Sequence, residues 1–301
     1  MLVTGGAGYT GIPLCGALIE AGHHVTVVDN FVFGFTPLLH LIDQPNLEVV
    51  RTDIRDDDRS YLKDKDVIFH LAGISGYPAC EANPNSARLI NVTATEELVR
   101  ALAPDQLLIF ASTTSFYGAS GTESQEDDPI TPVNLYGETK KIGEDIVMDR
   151  ENSIALRWAT VFGVSSRMRN DLMVNDFVEK AINERTLVLY DANSTRTFMH
   201  LTDQTRGYLF ALDNLQEMTG GIYNMGSASL NYTKRQIAEN IQERIPCEIM
   251  LAKSGDMDVR NFLVNFDKAL KLGFDCEFTL QQGIDELIKL YKFYAPNPVY
   301  G

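Results

Sequence analysis

Tyr136 and Lys140 are the pair in this chain best suited to do chemistry. On a helix, residues four apart share a face, so the Lys140 ammonium can stand beside the Tyr136 phenol and favour its ionised form through charge. A phenol acidified in this way can take a proton from a substrate hydroxyl while hydride leaves the same carbon for a nicotinamide. Thr113 belongs to the hydroxyl cluster Ser112-Thr113-Thr114-Ser115 after the apolar run Gln106–Ala111, and is suited to hold that hydroxyl in place. Taken alone, a Tyr and a Lys at this spacing are more often a surface pair. A coenzyme loop upstream gives the pair its meaning.

That loop is Thr4-Gly5-Gly6-Ala7-Gly8-Tyr9-Thr10-Gly11, lying between the apolar Met1-Leu2-Val3 and the helix-patterned Ile12–Ile19. A strand, a glycine-spaced turn and a helix in this order offer a helix N-terminus to a pyrophosphate. Gly5 serves the sharp turn, Gly8 the close approach of backbone to phosphate, and Gly11 the packing of the helix on the sheet. Pro13 fits the first helical turn, where no N–H partner is lost. The next apolar run, Val25–Val28, ends in Asp29, eighteen positions past Gly11, where a carboxylate accepts hydrogen bonds from an adenosine ribose. Asn30 to Gly34 contain no Arg or Lys, so a 2′-phosphate would meet a carboxylate and no cation. The expected coenzyme is NAD rather than NADP.

Strand-like runs alternate with helix-like ones through the first half, at 47–51, 66–71 and 106–111, with a long helix expected at about 85–103. This pattern predicts an α/β fold: a doubly wound, Rossmann-type parallel sheet with ligands beyond the carboxyl ends of its strands. After about Arg167 the alternation loosens. Helices are expected at 172–183, 202–214, 233–244 (with Thr233 as N-cap) and 280–293, and short strands at 187–190, 198–200 and 222–225. Residues 1–165 therefore read as the NAD-binding domain, with about 197–213 returning to it, and 166–301 as mainly a smaller substrate lobe. A cleft between the lobes is the expected substrate site.

The 301 residues suffice for about two domains, and 45% hydrophobic with 22% charged residues is ordinary for a globular chain. The net charge of −15 argues against nucleic acid or an anionic membrane as partner. Cys15, Cys80, Cys247 and Cys276 show no metal-like spacing, and no signal peptide or spanning apolar stretch is visible. The expectations are no metal, no membrane and a cytoplasmic, reducing location. Cys80 reads as a buried small hydrophobe.

Over nearly its whole length the chain resembles the extended short-chain dehydrogenase/reductase family, in its nucleotide-sugar epimerase/dehydratase branch. The resemblance rests on the glycine loop, Asp29-Asn30, Asp53-Ile54, His70-Leu71-Ala72-Gly73, Ser112 to Gly118, Tyr136 to Lys140, Leu156 to Gly163, Arg196 to His200 and Tyr223 to Gly226. It implies a catalytic set of Thr113, Tyr136 and Lys140. Along the coenzyme it places Gly5, Gly8, Tyr9, Thr10, Gly11, Asp29 and Asn30, with Asp53 and Ile54 on the adenine. It adds Leu71, Ala72, Gly73 and Ala111, and, closing over the nicotinamide, Trp158, Thr160 and Val161. Toward a nucleotide-diphosphate sugar it points to Ser75, Thr113, Ser115, Arg169, Asn170, Arg196 and Arg260, with Arg196 on the diphosphate. For Arg260 an exposed salt-bridge role stands as the competing reading; Arg167 and Arg169 are placed to grip a base, phosphate or sugar, with a solvated loop as the competing reading.

In the 4,6-dehydratases and decarboxylases of the family, acidic residues follow the catalytic Thr. Here Thr114 and Ser115 stand there, and neither is an acid or base at neutral pH. Elimination of water is thereby disfavoured. What remains is oxidation at a ring carbon, C4 by resemblance, followed by hydride return, as in UDP-glucose 4-epimerases. The segment from Arg157 to Phe177 is similar to GDP-heptose 4-dehydrogenases, so a 4-dehydrogenase or 4-ketoreductase stays open, as does a non-catalytic NAD(H)-binding regulator. The resemblance also implies a homodimer through helices at 85–103 and 132–150.

Overall fold

The computed structural model of the protein describes residues 1–118, 123–252 and 261–295; Arg260 lies outside the described residues. In chain order the strands are β1 Leu2–Thr4, β2 Val25–Asp29, β3 Leu47–Arg51, β4 Val67–His70, β5 Leu107–Thr113, β6 Glu123–Ser124 and β7 Ser153–Trp158. They continue as β8 Thr160–Phe162, β9 Thr186–Leu189, β10 Thr195–His200, β11 Ile222–Met225, β12 Asn231–Thr233, β13 Glu248–Leu251 and β14 Leu263–Val264. Seven of them form one parallel sheet in the order β3-β2-β1-β4-β5-β7-β11. The strand order reverses between β1 and β4, and in such a sheet the crevice for a ligand opens there.

Side chains on a strand alternate between faces. Leu2, Ile68 and Leu108 pack on one side with Ala94, Leu98 and Val147. Val3, Phe69 and Ile109 pack on the other with Ile12, Leu18 and Tyr208. Both faces are covered by helices, so the strands read as unbroken apolar runs rather than alternating ones. Helix Leu201–Asp213 carries Tyr208 against this core, and β11 joins the sheet edge, so chain from the second half completes the first lobe.

A second hydrophobic core has Phe162, Val174, Val178, Ile237, Ile241 and Leu287 among its members. Two small sheets serve it, β12-β10-β8 and β13-β9. Helix Lys234–Gln242 begins at Thr233 with reciprocal capping by Gln236, as its sequence predicts. Among the described residues no helix is long and apolar enough to cross a membrane.

The structure departs from the sequence reading at 85–103. Instead of one helix there are two, Pro84–Arg88 and Ala94–Ala101, joined by a π turn over Leu89–Thr93. The wide turn points the buried Asn91 amide inward. Its Oδ1 accepts from Ile74 N at 2.8 Å, and its Nδ2 donates to Ile74 O at 3.0 Å and Thr139 Oγ1 at 3.1 Å. One side chain thus ties the loop after β4 to the helix that carries Tyr136. Such π turns concentrate at functional sites.

Candidate active site

Helix Leu135–Met148 starts where the Asn134 side chain accepts from Gly137 N at 2.9 Å. Tyr136, Lys140 and Glu144 follow at successive turns. The Lys140 ammonium lies 4.0 Å from the centre of the Phe110 ring. Burial pulls its pKa down to about 7, and the nearby Glu144 carboxylate works against that fall. Replacing Lys140 with Met removes a buried cation one helical turn from Tyr136, and kcat should fall about tenfold or more while NADH affinity changes little; turnover equal to that of the parent would separate Lys140 from the chemistry.

Thr113 ends β5, and its hydroxyl accepts from Ser115 N at 3.1 Å. Thr114 is turned away and donates to Trp158 O at 3.1 Å. The two positions after Thr113 carry hydroxyls and no carboxylate. Ala111 pairs with Leu156 across the sheet.

In the glycine loop, Gly5 has φ +69°, and a Cβ on Gly11 would stand 2.3 Å from Gly5 O, so neither position admits a side chain. Gly8 N donates to Gly5 O at 3.0 Å, and Ile12 N donates back to Gly8 O at 3.1 Å. Thr10 and Gly11 then open helix Gly11–Glu20, in which Ile12 N is taken by Gly8 O and Pro13 has no N–H to satisfy. Asp29 Oδ2 accepts from Ala7 N at 3.0 Å and Oδ1 from Phe31 N at 2.8 Å, tying the carboxylate to the loop. Burial raises the Asp29 pKa, and both backbone donors and Arg167 oppose the rise.

The loop Leu71-Ala72-Gly73 is fixed by a hydrogen-bond chain in which His70 is held neutral, its pKa pulled by burial to about 3. Thr95 donates its hydroxyl proton to Asn91 O at 3.0 Å, so it accepts from His70 Nε2 at 3.0 Å. His70 Nδ1 therefore accepts from Thr4 Oγ1 at 2.7 Å, and the Thr4 oxygen accepts from Ala72 N at 3.2 Å. This tautomer follows from the network alone.

A third element, the segment from Gly163 to Asp171, crosses from the second lobe. Tyr9 donates to Gly163 O at 2.8 Å, Ser165 to Tyr9 O at 2.9 Å, and Asn175 Nδ2 to Arg169 O at 2.9 Å. Arg169 pairs with Asp171 (Nε to Oδ1, 3.0 Å) and donates to Ser75 Oγ at 3.2 Å; Tyr136 stands close enough to feel its charge. Ser75, Arg169 and Tyr136 are thus brought together. Asn170 Oδ1 accepts from the Tyr291 hydroxyl at 2.8 Å. Arg196 is buried on β10 opposite Tyr232.

Some expected coenzyme contacts sit differently. The Trp158 indole lies in the core and donates to the Tyr208 hydroxyl at 3.0 Å, and its backbone carbonyl accepts from Thr114; Thr160 and Val161, half-buried on β8, follow it. The Ile54 side chain is buried beside the sheet, and the Asp53 carboxylate pairs with Arg55 at 2.8 Å and accepts from Asn30 Nδ2 at 3.0 Å. Cys80 is buried, donates to Ile74 O at 3.4 Å and has its pKa pushed up to about 11, so it is a thiol at neutral pH. Asn91, Glu144 and Ser165 were not singled out from the sequence. For Glu144 the signal was present, because it continues the four-residue spacing of Tyr136 and Lys140.

A doubly wound sheet, a glycine turn into a helix N-terminus, a carboxylate at the end of β2 and a Tyr–Lys helix beside a hydroxyl-bearing strand end together fit a dinucleotide. They define a nicotinamide-dinucleotide-binding protein of the Rossmann type. The chain belongs to the NAD dependent epimerase/dehydratase family, whose model matches residues 1–226. It is similar to an uncharacterised UDP-glucose epimerase of Bacillus subtilis, 30% identical over 76% of this chain and 77% of that one. It is also similar to UDP-glucuronic acid decarboxylase 4 of Arabidopsis thaliana, 28% identical over 97% of this chain and 68% of that one. A crystal structure of UDP-glucuronic acid 4-epimerase from Bacillus cereus, in complex with UDP-glucuronic acid and NAD, superposes with a TM-score of 0.86 at 25% identity, covering 97% and 98% of the two chains.

Proposed function

We propose that the protein is an NAD-dependent nucleotide-sugar epimerase that inverts a ring carbon, C4, by transient oxidation. The observation that carries this reading is the helix bearing Tyr136 and Lys140 beside a β5 end that offers hydroxyls alone. Bound NAD supplies a hydride acceptor and later the donor. Tyr136 takes the proton of the sugar hydroxyl and returns it after the ring has presented its other face, Lys140 stabilises the phenolate, and Thr113 holds the hydroxyl. Arg169, with Ser75, and Arg196 are the expected holders of the nucleotide diphosphate. With Thr114 and Ser115 after Thr113, these two positions offer no carboxylate to drive elimination from the neighbouring carbon. The Bacillus cereus 4-epimerase supports both C4 and a UDP-sugar.

The test is proton NMR of UDP-, GDP-, CDP- and dTDP-sugars with the protein and catalytic NAD, while NADH absorbance is followed. A new sugar isomer without net NADH is the expected result. NADH accumulating with a keto-sugar makes the protein a 4-dehydrogenase, and silence across the panel moves it to a reductase or a coenzyme sensor.

The proposed assembly is a homodimer through helices Ala94–Ala101 and Leu135–Met148 and their flanks, where Leu89 and Val133 stand exposed. Sedimentation should give twice the 33.6 kDa chain mass, and a monomer alone counts against it. The proposed location is cytoplasmic, consistent with four free cysteines.

A further inference from the structure

Coenzymes of this type carry a dianionic diphosphate, yet Thr4 to Gly11 contain no cation, and neither do Asn30 to Gly34. Lys140 lies against Phe110, and Arg169 is paired with Asp171. The structure brings another cation to the coenzyme lobe from across the cleft. Arg167 is 8% exposed, and its guanidinium lies 4.0 Å from the centre of the Phe33 ring, in the loop that follows Asp29. The segment carrying it is pinned on the glycine loop by the Ser165–Tyr9 hydrogen bond, two residues away. Asp29 and Arg167 each feel the other's charge. Among the described residues the hydrogen-bond acceptor of Arg167 is Met168 O, at 3.0 Å from Nη1, which leaves other N–H groups of its fork for a ligand.

We propose that Arg167, stacked on Phe33, is a coenzyme-binding residue contributed by the second lobe, donating to the diphosphate of the dinucleotide and closing a clasp over its adenylate half. The proposal rests on the dinucleotide reading of the glycine loop and adds to it the charge that the loop lacks. An Arg stacked on an aromatic ring keeps its planar donor edge aimed, so less freedom is lost on binding. A charge-assisted bond of this kind slows release more than it speeds capture. Because the same segment carries Arg169 and Asn170, the clasp also links coenzyme retention to the substrate side of the cleft.

The test is binding, read without turnover. Affinities for NADH, ADP and adenosine are measured by fluorescence and calorimetry on the purified protein and on Arg167→Met, which keeps an apolar chain against Phe33. NADH release is followed by stopped flow. Arg167→Met should weaken NADH and ADP about tenfold or more and speed NADH release by a similar factor, while adenosine binding stays within about twofold. Phe33→Ala, at a half-exposed position, should weaken the same two ligands less, and the two substitutions together should do little more than Arg167→Met alone. Should Arg167→Met fail to fold, Arg167→Lys keeps the charge without the planar fork and should give an intermediate loss for the same ligands. Unchanged NADH and ADP affinities overturn the proposal, and so does a loss of equal size for adenosine. If the unaltered protein binds no NADH, the functional reading itself fails; normal binding that is indifferent to residue 167 removes only the clasp.

Discussion

Tyr136→Phe is expected to lower kcat about 10³-fold or more while leaving NADH affinity within about twofold. The substitution removes one oxygen, the atom that takes and returns the substrate proton, and proton transfer by a positioned side chain is worth about 10²–10⁴ in rate. The ring itself can stay where it is. Tyr136 sits in the first turn of a helix held by the Asn134 cap and by Thr139, whose hydroxyl donates to Tyr136 O at 3.1 Å and accepts from Asn91. None of these bonds uses the phenol. KM for the sugar should change far less than kcat, because the lost interaction is made in the transition state. Turnover within tenfold of the parent, at any pH, would take Tyr136 out of the mechanism and shift proton transfer to another group in the cleft.

What the sequence disclosed and what it hid follow from the range of the interactions involved. The glycine loop, Asp29 and the Tyr136–Lys140 pair are local patterns whose geometry is set by a turn or by helical spacing. They were legible because neighbouring residues alone decide them. The π turn was hidden, because Leu89–Thr93 has ordinary helical character and widens only where Asn91 meets Ile74 and Thr139, residues far along the chain. The place of the Trp158 side chain was hidden for the same reason. Its place in the motif suggested a face toward the coenzyme, but the indole goes to Tyr208 on a helix fifty residues later. The expected preference for NAD was argued from a lack of cations at 30–34, and folding brings Arg167 to that loop from the second lobe. Local sequence gives the β2 end its carboxylate, whereas its full charge environment is set by a residue more than 130 positions away in the chain.

Breaking the buried pair Glu144–Arg157 should cost the most stability of any single change considered. The two side chains are 1% and 3% exposed and meet through Nη2–Oε1 at 2.7 Å and Nε–Oε2 at 3.0 Å. Ser112 also donates to Glu144 at 2.6 Å, and Arg157 Nη1 donates to the Tyr117 hydroxyl at 2.6 Å and Glu126 O at 2.8 Å. The network ties the Tyr136 helix to β5 and β7. Glu144→Ala leaves the Arg157 charge buried without its partner, a loss of about 3–5 kcal/mol, on the order of 10 °C in Tm for a chain of this size. Glu144→Leu combined with Arg157→Met should recover much of that loss, since a buried ion pair replaced by apolar volume is often close to neutral. Chemical denaturation of the parent, the single variants and the double variant measures the coupling. The double variant also separates two roles of Glu144: with stability restored, Lys140 still lacks the carboxylate that opposes the fall of its pKa. The alkaline limb of the activity profile, where Lys140 sheds its proton, should therefore move to lower pH. Recovered stability with an unmoved alkaline limb would make Glu144 a structural tie alone. A Glu144→Ala variant within about 1 kcal/mol of the parent would show that water reaches Arg157 and that the pair holds less of the fold than its burial implies.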